Sequence, residues 1–151
     1  MRRNDREMPK EFGLELIDRC EYGVAAVIDE DGRPYAVALN LVRDGEKLYF
    51  HCAMEGKKTD SLRKNPEVCI SFVDGVSPVP DKFTTLYESA VVRGKAAEVT
   101  EDEEKIHALR MLCEKLTPSN MENFGEAIEC SLRRTAVWRI DIDEVTAKAK
   151  K

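Results

Sequence analysis

The chain has 151 residues and a formal net charge of −5 at pH 7. This length fits a single domain, 1–151, with a sizeable core, and the acidic charge argues against a nucleic-acid partner. The apolar runs fall well short of the roughly 18 residues that cross a bilayer, and the charged residues 1–7 are not followed by an apolar segment. We therefore expect a cytoplasmic protein with neither a membrane nor a nucleic-acid partner.

Five cysteines are scattered along the chain in mostly apolar surroundings, without a Cys-x-x-Cys pair. Their number is odd and there are only two histidines, His51 and His107, so neither a disulfide framework nor a metal site is expected. His107 lies off the apolar stripe of its helix and is expected at the surface. The cysteines are predicted to be buried free thiols: Cys20, Cys52, Cys69, Cys113 and Cys130.

The first half of the chain predicts a helix, three strands and a second helix. Pro9 begins an amphipathic segment, and proline is tolerated at the first helical position, so a helix is expected over about residues 9–20. Runs of β-favouring residues separated by Gly-containing turns predict two consecutive hairpins. The strands span residues 22–28, 34–43 and 47–53, and the second helix runs from 56 to 65, where Pro66 ends it.

The second half predicts three further strands and two helices. Gly75, Pro78 and Pro80 predict an irregular surface loop over residues 74–82. Gly94 interrupts a long β-favouring run and predicts a bulge or a tight bend. The strands are expected at 68–73, 84–99 and 135–143, the helices at about 100–117 and within 119–130, and flexible ends at 1–7 and 146–151.

Six strands in mostly hairpin order, with helices inserted between them, predict a mainly β (α+β) fold built on a small antiparallel barrel. A doubly wound parallel sheet would need a regular alternation of strands and helices, which the chain lacks. Barrels of this size fill their interior with side chains, so a ligand is expected at a rim or against a partner subunit.

The junction between the third strand and the second helix carries the strongest functional signal. It reads Leu-Tyr-Phe-His-Cys-Ala-Met-Glu-Gly-Lys-Lys-Thr over residues 48–59. Unpaired N–H groups at a helix start attract anions, and Lys57 and Lys58 add two positive charges, so a phosphate site is predicted. The alternative is that the lysine pair is only a solvated face. A nucleotide-binding P-loop does not fit, because its glycine and G-K-[ST] spacing is absent.

His51 ends this strand beside the basic turn. Side chains alternate along a strand, so one set is expected in the core (Leu48, Phe50, Cys52) and the other on the opposite face (Tyr49, His51, Ala53). A flat molecule could lie over the small Ala53, next to the imidazole. The alternative, an ordinary strand histidine with one satisfied hydrogen bond, stays open on the sequence.

Three segments match a known family in order and spacing: residues 48–58, then Leu62 with Asn-Pro-Glu-Val at 65–68, then Tyr-Glu-Ser-Ala-Val-Val-Arg-Gly-Lys-Ala at 87–96. They resemble the flavin-binding split β-barrels related to pyridoxamine 5'-phosphate oxidase, and within them the 5-nitroimidazole-resistance branch. The resemblance covers about residues 8–148. It implies a six-stranded antiparallel split β-barrel with flanking helices, and an FMN-binding homodimer with each flavin between the subunits.

The resemblance also implies roles for individual residues. Lys57 and Lys58 would hold the flavin phosphate, and His51 would contact the substrate or donate a proton. The isoalloxazine ring would lie along two strands, beside Val37, Ala38, Leu39 and Asn40 on one and His51, Cys52 and Ala53 on the other. Tyr87, Glu88 and Ser89 would approach the pocket, and Trp138 or Arg139 would contribute from the other subunit.

Two departures argue against pyridoxamine phosphate oxidation itself. Residues 33–40 are not a clean copy of the oxidase's Arg-x-x-x-Leu-Lys pattern, and Arg139 is followed by Ile140 rather than by the oxidase's Arg-Leu-x-Pro sequence. The expected function is an FMN-dependent oxidoreductase that passes reducing equivalents to a small planar or nitro-aromatic acceptor. A non-catalytic flavin-binding module and a haem-handling protein remain alternatives, and a deazaflavin could take the place of FMN.

Overall fold

The computed structural model describes residues 3–151, which form four helices and eight strands. In chain order these are β1 (Glu7–Met8), α1 (Lys10–Arg19), β2 (Tyr22–Ile28), β3 (Pro34–Asn40), β4 (Val42–Asp44), β5 (Lys47–Ala53), α2 (Lys57–Lys64), β6 (Glu67–Val79), β7 (Thr84–Glu98), α3 (Asp102–Leu116), α4 (Phe124–Ser131) and β8 (Thr135–Lys150). Short 3-10 turns span Asn4–Arg6, Pro80–Lys82, Pro118–Asn123 and Leu132–Arg134.

All eight strands belong to one antiparallel sheet in the order β3-β2-β6-β7-β8-β5-β4, with β1 added alongside β8. The hairpins β2–β3, β4–β5 and β6–β7 are local, whereas β8 returns from the far end of the chain to pair with both β7 and β5. The sheet curls into a split barrel with flanking helices, which confirms the predicted mainly β fold class.

The strand predicted for residues 34–43 is two strands in the structure. β3 pairs with β2 and β4 pairs with β5, and Leu41 between them is buried in the core. The ammonium of Lys115 on α3 donates to the carbonyl oxygen of Leu41 at 2.9 Å and to that of Ile17 at 3.3 Å. The chain can therefore pass from one edge of the sheet to the other without leaving the Leu41 carbonyl unpaired. This break and the two-residue β1 raise the strand count from the predicted six to eight.

The prediction of an irregular loop over residues 74–82 is mostly wrong. Residues 74–79 continue β6 and pair with β7 through a register shift between Asp74 and Ser77, so the irregular part shrinks to the turn at Pro80–Lys82. Pairing of β6 with β2 is confined to Cys69, Ile70 and Ser71. The outer part of β6 therefore has a free edge, where a proline removes no ladder hydrogen bond.

The expectation of a flexible carboxyl-terminal end is also wrong. Residues 146–150 continue β8 and pair with β7, and Lys148 and Ala147 additionally pair with β1. Ala147 and Ala149 are buried, while Lys148 between them and Lys150 after them are partly exposed. This alternation is the two-residue period of a strand, which the lysine-rich composition concealed. Of the expected flexible residues 1–7, the first two lie outside the described part of the chain, and Glu7 opens β1.

The predicted bulge at Gly94 is confirmed. The ladder between β7 and β8 shifts register between Arg93 and Gly94. A Cβ atom on Gly94 would lie 2.3 Å from the carbonyl oxygen of Asp141, so a larger residue cannot occupy this position without moving the backbone. The glycine lets two long strands stay paired while they bend around the barrel.

Two apolar clusters lie on opposite faces of the sheet. The larger fills the barrel and is closed by Leu16 and Ile17 of α1 and by Leu62 of α2. The smaller lies between α3, α4 and the other face of β5 and β8, where Tyr49 and Val137 are buried. His51 lies two residues after Tyr49 and therefore on the same face of β5. Helices α3 and α4 thus cover the face that carries the imidazole.

Candidate functional site

The start of α2 presents backbone N–H groups that the helix does not use. Gly56 precedes the helix with a φ of 144°, a conformation that favours glycine. No side chain caps this end, and the helical ladder begins with the Asp60 N–H donating to the Gly56 carbonyl at 3.0 Å. The N–H groups of residues 57–59 therefore lie outside the ladder, at the positive end of the helix dipole.

The two lysines at this helix start differ in their partners. The ammonium of Lys57 lies 3.0 Å from a carboxylate oxygen of Asp29 and 5.0 Å from the centre of the Tyr35 ring. The hydrogen bond that Lys57 donates to Asp29 raises the pKa of Lys57. Across residues 3–151 no carboxylate pairs with Lys58, whose ammonium lies 5.3 Å from the centre of the Phe50 ring. Lys58 therefore supplies the positive charge that is available to an anion.

Strand β5 delivers His51 as predicted. Leu48, Phe50 and Cys52 pack with the barrel cluster, and His51 points to the opposite face, where it makes no hydrogen bond with any other described residue. The His51 pKa lies below its ordinary value because its ring is partly desolvated and because the charge of Lys58 is near. At pH 7 the imidazole is therefore neutral and offers one N–H donor and one nitrogen acceptor.

A small cavity connects the end of β5 to the start of α2. Its volume is about 220 Å³, and it is lined by Tyr35, Cys52, Ala53, Glu55, Gly56, Lys57, Lys58 and Thr59. We call it the α2 cavity. Tyr35 was not predicted from the sequence, although it lies two residues before Val37 on the same face of β3. The structure thus brings four of the predicted site residues together: Cys52, Ala53, Lys57 and Lys58.

The predicted residues of β3 divide between two faces. Leu39 is buried in the barrel cluster with Val37 packed against it, whereas Ala38 and Asn40 face outward. The side-chain amide of Asn40 donates to the carbonyl of Glu21 at 2.9 Å. Of these four residues, only Ala38 and Asn40 therefore turn their side chains outward, where a bound molecule could meet them.

Residues 87–89 do not join the α2 cavity within one protomer. Tyr87, Glu88 and Ser89 pair with residues 150, 149 and 148 of β8, whereas His51 pairs with Val137. The two places are thus about a dozen residues apart on β8, roughly 40 Å of strand. Glu88 is held there by an ion pair with Arg19.

The side chains of Trp138 and Arg139 both have partners within the protein. The indole of Trp138 is 2% exposed and stacks on Phe50 with ring centres 6.4 Å apart, so its side chain cannot reach a ligand from outside the barrel. The guanidinium of Arg139 donates to Glu104 at 3.0 Å and to Asp141 at 3.0 Å. The predicted contact of Trp138 with a ligand is therefore not supported, because a strand side chain of that register points into the core.

A second and larger cavity lies on the His51 side of the sheet. It has a volume of about 360 Å³ and is lined by His51, Leu109, Leu112, Cys113, Leu116, Thr117, Phe124, Ala127, Ile128, Ser131 and Thr135. We call it the α3–α4 cavity. The sequence indicated only that these helices have apolar faces, and such faces usually pack completely. The cavity depends on how α3 and α4 meet over β5, which no local pattern encodes.

Apart from His51, the side chains of the types that bind transition metals most often are the five cysteines and His107. All five cysteines are free, but only Cys20 is buried as expected; Cys130 is exposed, and the other three are partly buried (Cys52, Cys69 and Cys113). His107 is at the surface as expected, with Nε2 3.0 Å from Asp44. Residues 3–151 contain no group of three or more His, Cys, Asp or Glu side chains that could hold a metal ion. Within the same stretch, no helix is both long and apolar enough to cross a membrane.

Comparison with known proteins places this architecture in context. The model of the family described as pyridoxamine 5'-phosphate oxidase matches residues 10–149. No curated protein matches the chain in sequence. A solved structure assigned to 5-nitroimidazole antibiotic resistance, from Bacteroides thetaiotaomicron, is 27% identical with a TM-score of 0.80, over 96% of this chain and 90% of that one.

Two more distant structures share the fold. The flavocytochrome Anf3 from Azotobacter vinelandii is 20% identical with a TM-score of 0.81, over 100% of this chain and 72% of its own. An FAD and heme binding protein from Mycobacterium smegmatis is 20% identical with a TM-score of 0.82, over 97% of this chain and 74% of its own. At this identity the likeness is one of backbone architecture, and chemistry has to be argued from the site.

Proposed function

Because the chain belongs to the pyridoxamine 5'-phosphate oxidase family, we propose that it binds FMN and acts as an oxidoreductase on a small planar or nitro-aromatic acceptor. The observation that carries the proposal is the Lys58 ammonium, without a carboxylate partner in the described chain, at the uncapped start of α2. The relative from Bacteroides thetaiotaomicron, with its assignment to nitroimidazole resistance, supports the choice of acceptor.

The residues of the α2 cavity suit a phosphate monoester. Uncapped helix N–H groups and an ammonium are both donors, and a dianion accepts from both. Tyr35, Cys52 and Ala53 give the cavity an apolar wall of the kind that a flavin ring would need. Glu55 is the one carboxylate among the lining residues, and within the described chain it forms no ion pair with Lys57 or Lys58.

The protein's own part in such a reaction centres on His51. When bound, FMN would supply the two-electron redox chemistry, which none of these side chains can provide. The neutral imidazole can donate a hydrogen bond from its N–H to an oxygen or nitrogen atom of the acceptor, and its protonated form can transfer a proton there. Because the side chain is exposed on one side, solvent can return a proton to the ring. Neutralisation of Lys58 by an anion would also remove part of what lowers the His51 pKa.

Exposed apolar side chains support a homodimer. Tyr22 and Val24 on the outer face of β2 are 58% and 41% exposed, and Phe83 at the tip of the β6–β7 hairpin is 99% exposed. Large exposed apolar side chains are common in protein–protein contacts. A second copy on this face would also offer residues 87–89, remote from Lys58 within one protomer, to the α2 cavity of the other. Light scattering should give a dimer mass that Val24→Lys lowers and that Cys130→Lys, an exposed position on α4 over the other face of the sheet, does not.

The decisive experiment is the visible absorbance spectrum of the purified protein, followed by heat release and identification of the chromophore. Release of about one FMN per chain supports the proposal, and NAD(P)H turnover with nitro-aromatic acceptors then separates an enzyme from a non-catalytic flavin-binding module. A deazaflavin would be recognised in the same step. A protein that is colourless and stays so after FMN is added would contradict the proposal.

A haem-handling role is the second candidate. It is favoured by one observation, an imidazole at His51 that has no hydrogen bond within the described chain and borders an apolar cavity. Two structures with this fold are described as a flavocytochrome and as an FAD and heme binding protein. Absorbance spectra recorded as haem is added to the wild type and to His51→Ala test this role. A shifted absorbance band that needs His51 supports this role, and no shift in either protein excludes it.

A further inference from the structure

We propose that the α3–α4 cavity is a binding site for an uncharged, largely apolar molecule of one or two rings, which presents a single hydrogen-bonding group to His51. That this molecule is the acceptor of the reaction rests on the proposed function; that the cavity binds it does not. The cavity lies within one protomer and shares no residue with the α2 cavity.

The lining excludes a charged ligand. None of the residues that line the cavity is Asp, Glu, Lys or Arg. A carboxylate or an ammonium placed there would lose its hydration without gaining a partner of opposite charge. The volume of about 360 Å³ lies at the lower end of the range for small-molecule sites, about 300–1,000 Å³, which suits one or two rings rather than a nucleotide.

The polar atoms of the lining leave one strong free donor. The hydroxyl of Thr117 donates to the Cys113 carbonyl at 3.2 Å, that of Ser131 to the Ala127 carbonyl at 2.6 Å, and that of Thr135 to the Ser131 carbonyl at 2.9 Å. Each hydroxyl hydrogen is therefore used within the protein. The imidazole of His51 keeps both of its ring nitrogens for a ligand.

The position of the cavity relates it to the redox proposal. His51 lines the α3–α4 cavity, and Ala53, two residues later on the same face of β5, lines the α2 cavity. A ligand hydrogen-bonded to His51 would therefore lie about 7 Å along the strand from one of the predicted flavin-binding residues. The apolar walls from α3 and α4 would also keep water away from its ring.

A matched pair of probes tests the charge requirement. Nitrobenzene and benzoate have nearly the same shape, but only benzoate is charged at pH 7. Calorimetric titration of the full-length protein should show nitrobenzene binding roughly 100-fold more tightly than benzoate, because the cavity offers no cation. Methyl NMR shifts in the nitrobenzene titration should be concentrated at Leu109, Leu112 and Ile128. Equal binding of both probes, or shifts confined to other methyl groups, would overturn the proposal.

Substitutions on α4 test the location. Ala127→Met places a larger side chain in the cavity, which reduces its free volume, and should weaken nitrobenzene binding roughly 10-fold or more. Glu126→Met, at the neighbouring exposed position, should leave nitrobenzene binding unchanged. His51→Phe should weaken it roughly 2- to 10-fold through the lost hydrogen bond. If Ala127→Met binds as the wild type does, the cavity is not the site. Flavin content is measured separately, so absence of flavin would reject the proposed function while leaving this titration to decide the cavity.

Discussion

The ammonium of Lys57 lies 3.0 Å from the carboxylate of Asp29, which is buried in the turn between β2 and β3. The other carboxylate oxygen of Asp29 accepts the backbone N–H groups of Asp31 at 3.1 Å and Arg33 at 2.8 Å. The hydrogen bond from Arg33 and then the contact with Lys57 hold the pKa of Asp29 below its ordinary value. One of the two lysines at the α2 start is thus neutralised by its own protein.

Removing this carboxylate should strengthen anion binding. Asp29→Asn keeps an oxygen for the two backbone N–H groups but releases Lys57. We expect FMN and inorganic phosphate to bind roughly 2- to 5-fold more tightly, the size of a screened surface charge effect. Flavin fluorescence titration measures the change, and Asp31→Asn in the same turn is the control. Weaker binding in Asp29→Asn would mean that the carboxylate positions Lys57 for the ligand instead of competing with it.

The two lysines should contribute unequally. Lys58→Gln should weaken FMN binding roughly 10- to 100-fold, because a hydrogen bond between charged groups is worth about 1.5–3 kcal/mol. Lys57→Gln should have a smaller effect, since Lys57 already has a partner. Circular dichroism confirms that both variants are folded, and Lys95→Gln on the barrel surface controls for net charge. Equal losses of FMN affinity in the two variants would contradict the inference that only Lys58 offers its charge to the ligand.

The pKa of His51 should depend on the charge of Lys58. Partial desolvation and then the Lys58 charge lower the His51 pKa, so Lys58→Gln should raise it and Lys57→Gln should leave it nearly unchanged. Saturating FMN should raise it in the wild type by the same mechanism. With only two histidines in the chain, an NMR titration of the ring protons resolves both, and His107 serves as the internal reference. A His51 pKa that is insensitive to Lys58 would place the lysine farther from the ring than the structure does.

The stability of the fold should depend on Glu104 at acidic pH. Its carboxylate accepts the Tyr49 hydroxyl at 2.8 Å and the Arg139 guanidinium at 3.0 Å. Burial acts to raise the Glu104 pKa, but these two hydrogen bonds outweigh it and leave the pKa lowered. A lowered folded-state pKa gives stability that is present above pH 4.5 and is lost as the pH falls through the folded value.

Two variants isolate this contribution. Glu104→Gln should flatten the pH dependence of the free energy of unfolding below pH 4.5. Tyr49→Phe should cost about 1.5 kcal/mol at pH 7, the value of a hydrogen bond to a charged acceptor. Urea unfolding at several pH values measures both effects, and Glu103→Gln on the same helix is the control. An unchanged acid profile in Glu104→Gln would show that another carboxylate governs acid unfolding.

The sequence predicted what local patterns encode. The alternation along Leu48, Phe50 and Cys52 placed β5 and the face of His51, and Gly94 marked the bulge that the β7–β8 ladder contains. The family resemblance and the split-barrel fold are confirmed as well. These features depend on residues close to one another in the chain, or on segments whose order is itself a signature.

What the sequence could not predict depends on contacts between distant segments. The pairing of Lys57 with Asp29 requires the β2–β3 turn to meet α2, and the break at Leu41 requires Lys115 from α3 to satisfy a carbonyl. The α3–α4 cavity likewise exists only because two helices meet imperfectly over β5. Each is a tertiary arrangement in which the residues themselves look ordinary.

The stacking of Trp138 on Phe50 has a practical consequence. Trp138 is the sole tryptophan of the chain, and its indole N–H is buried without an acceptor in the described structure. Its fluorescence should therefore be that of an indole in an apolar, water-free setting, and it should move to longer wavelength when the barrel opens. Because Val137 next to it belongs to the cluster behind the α3–α4 cavity, the molecule carries an intrinsic optical reporter within a few residues of both candidate binding sites.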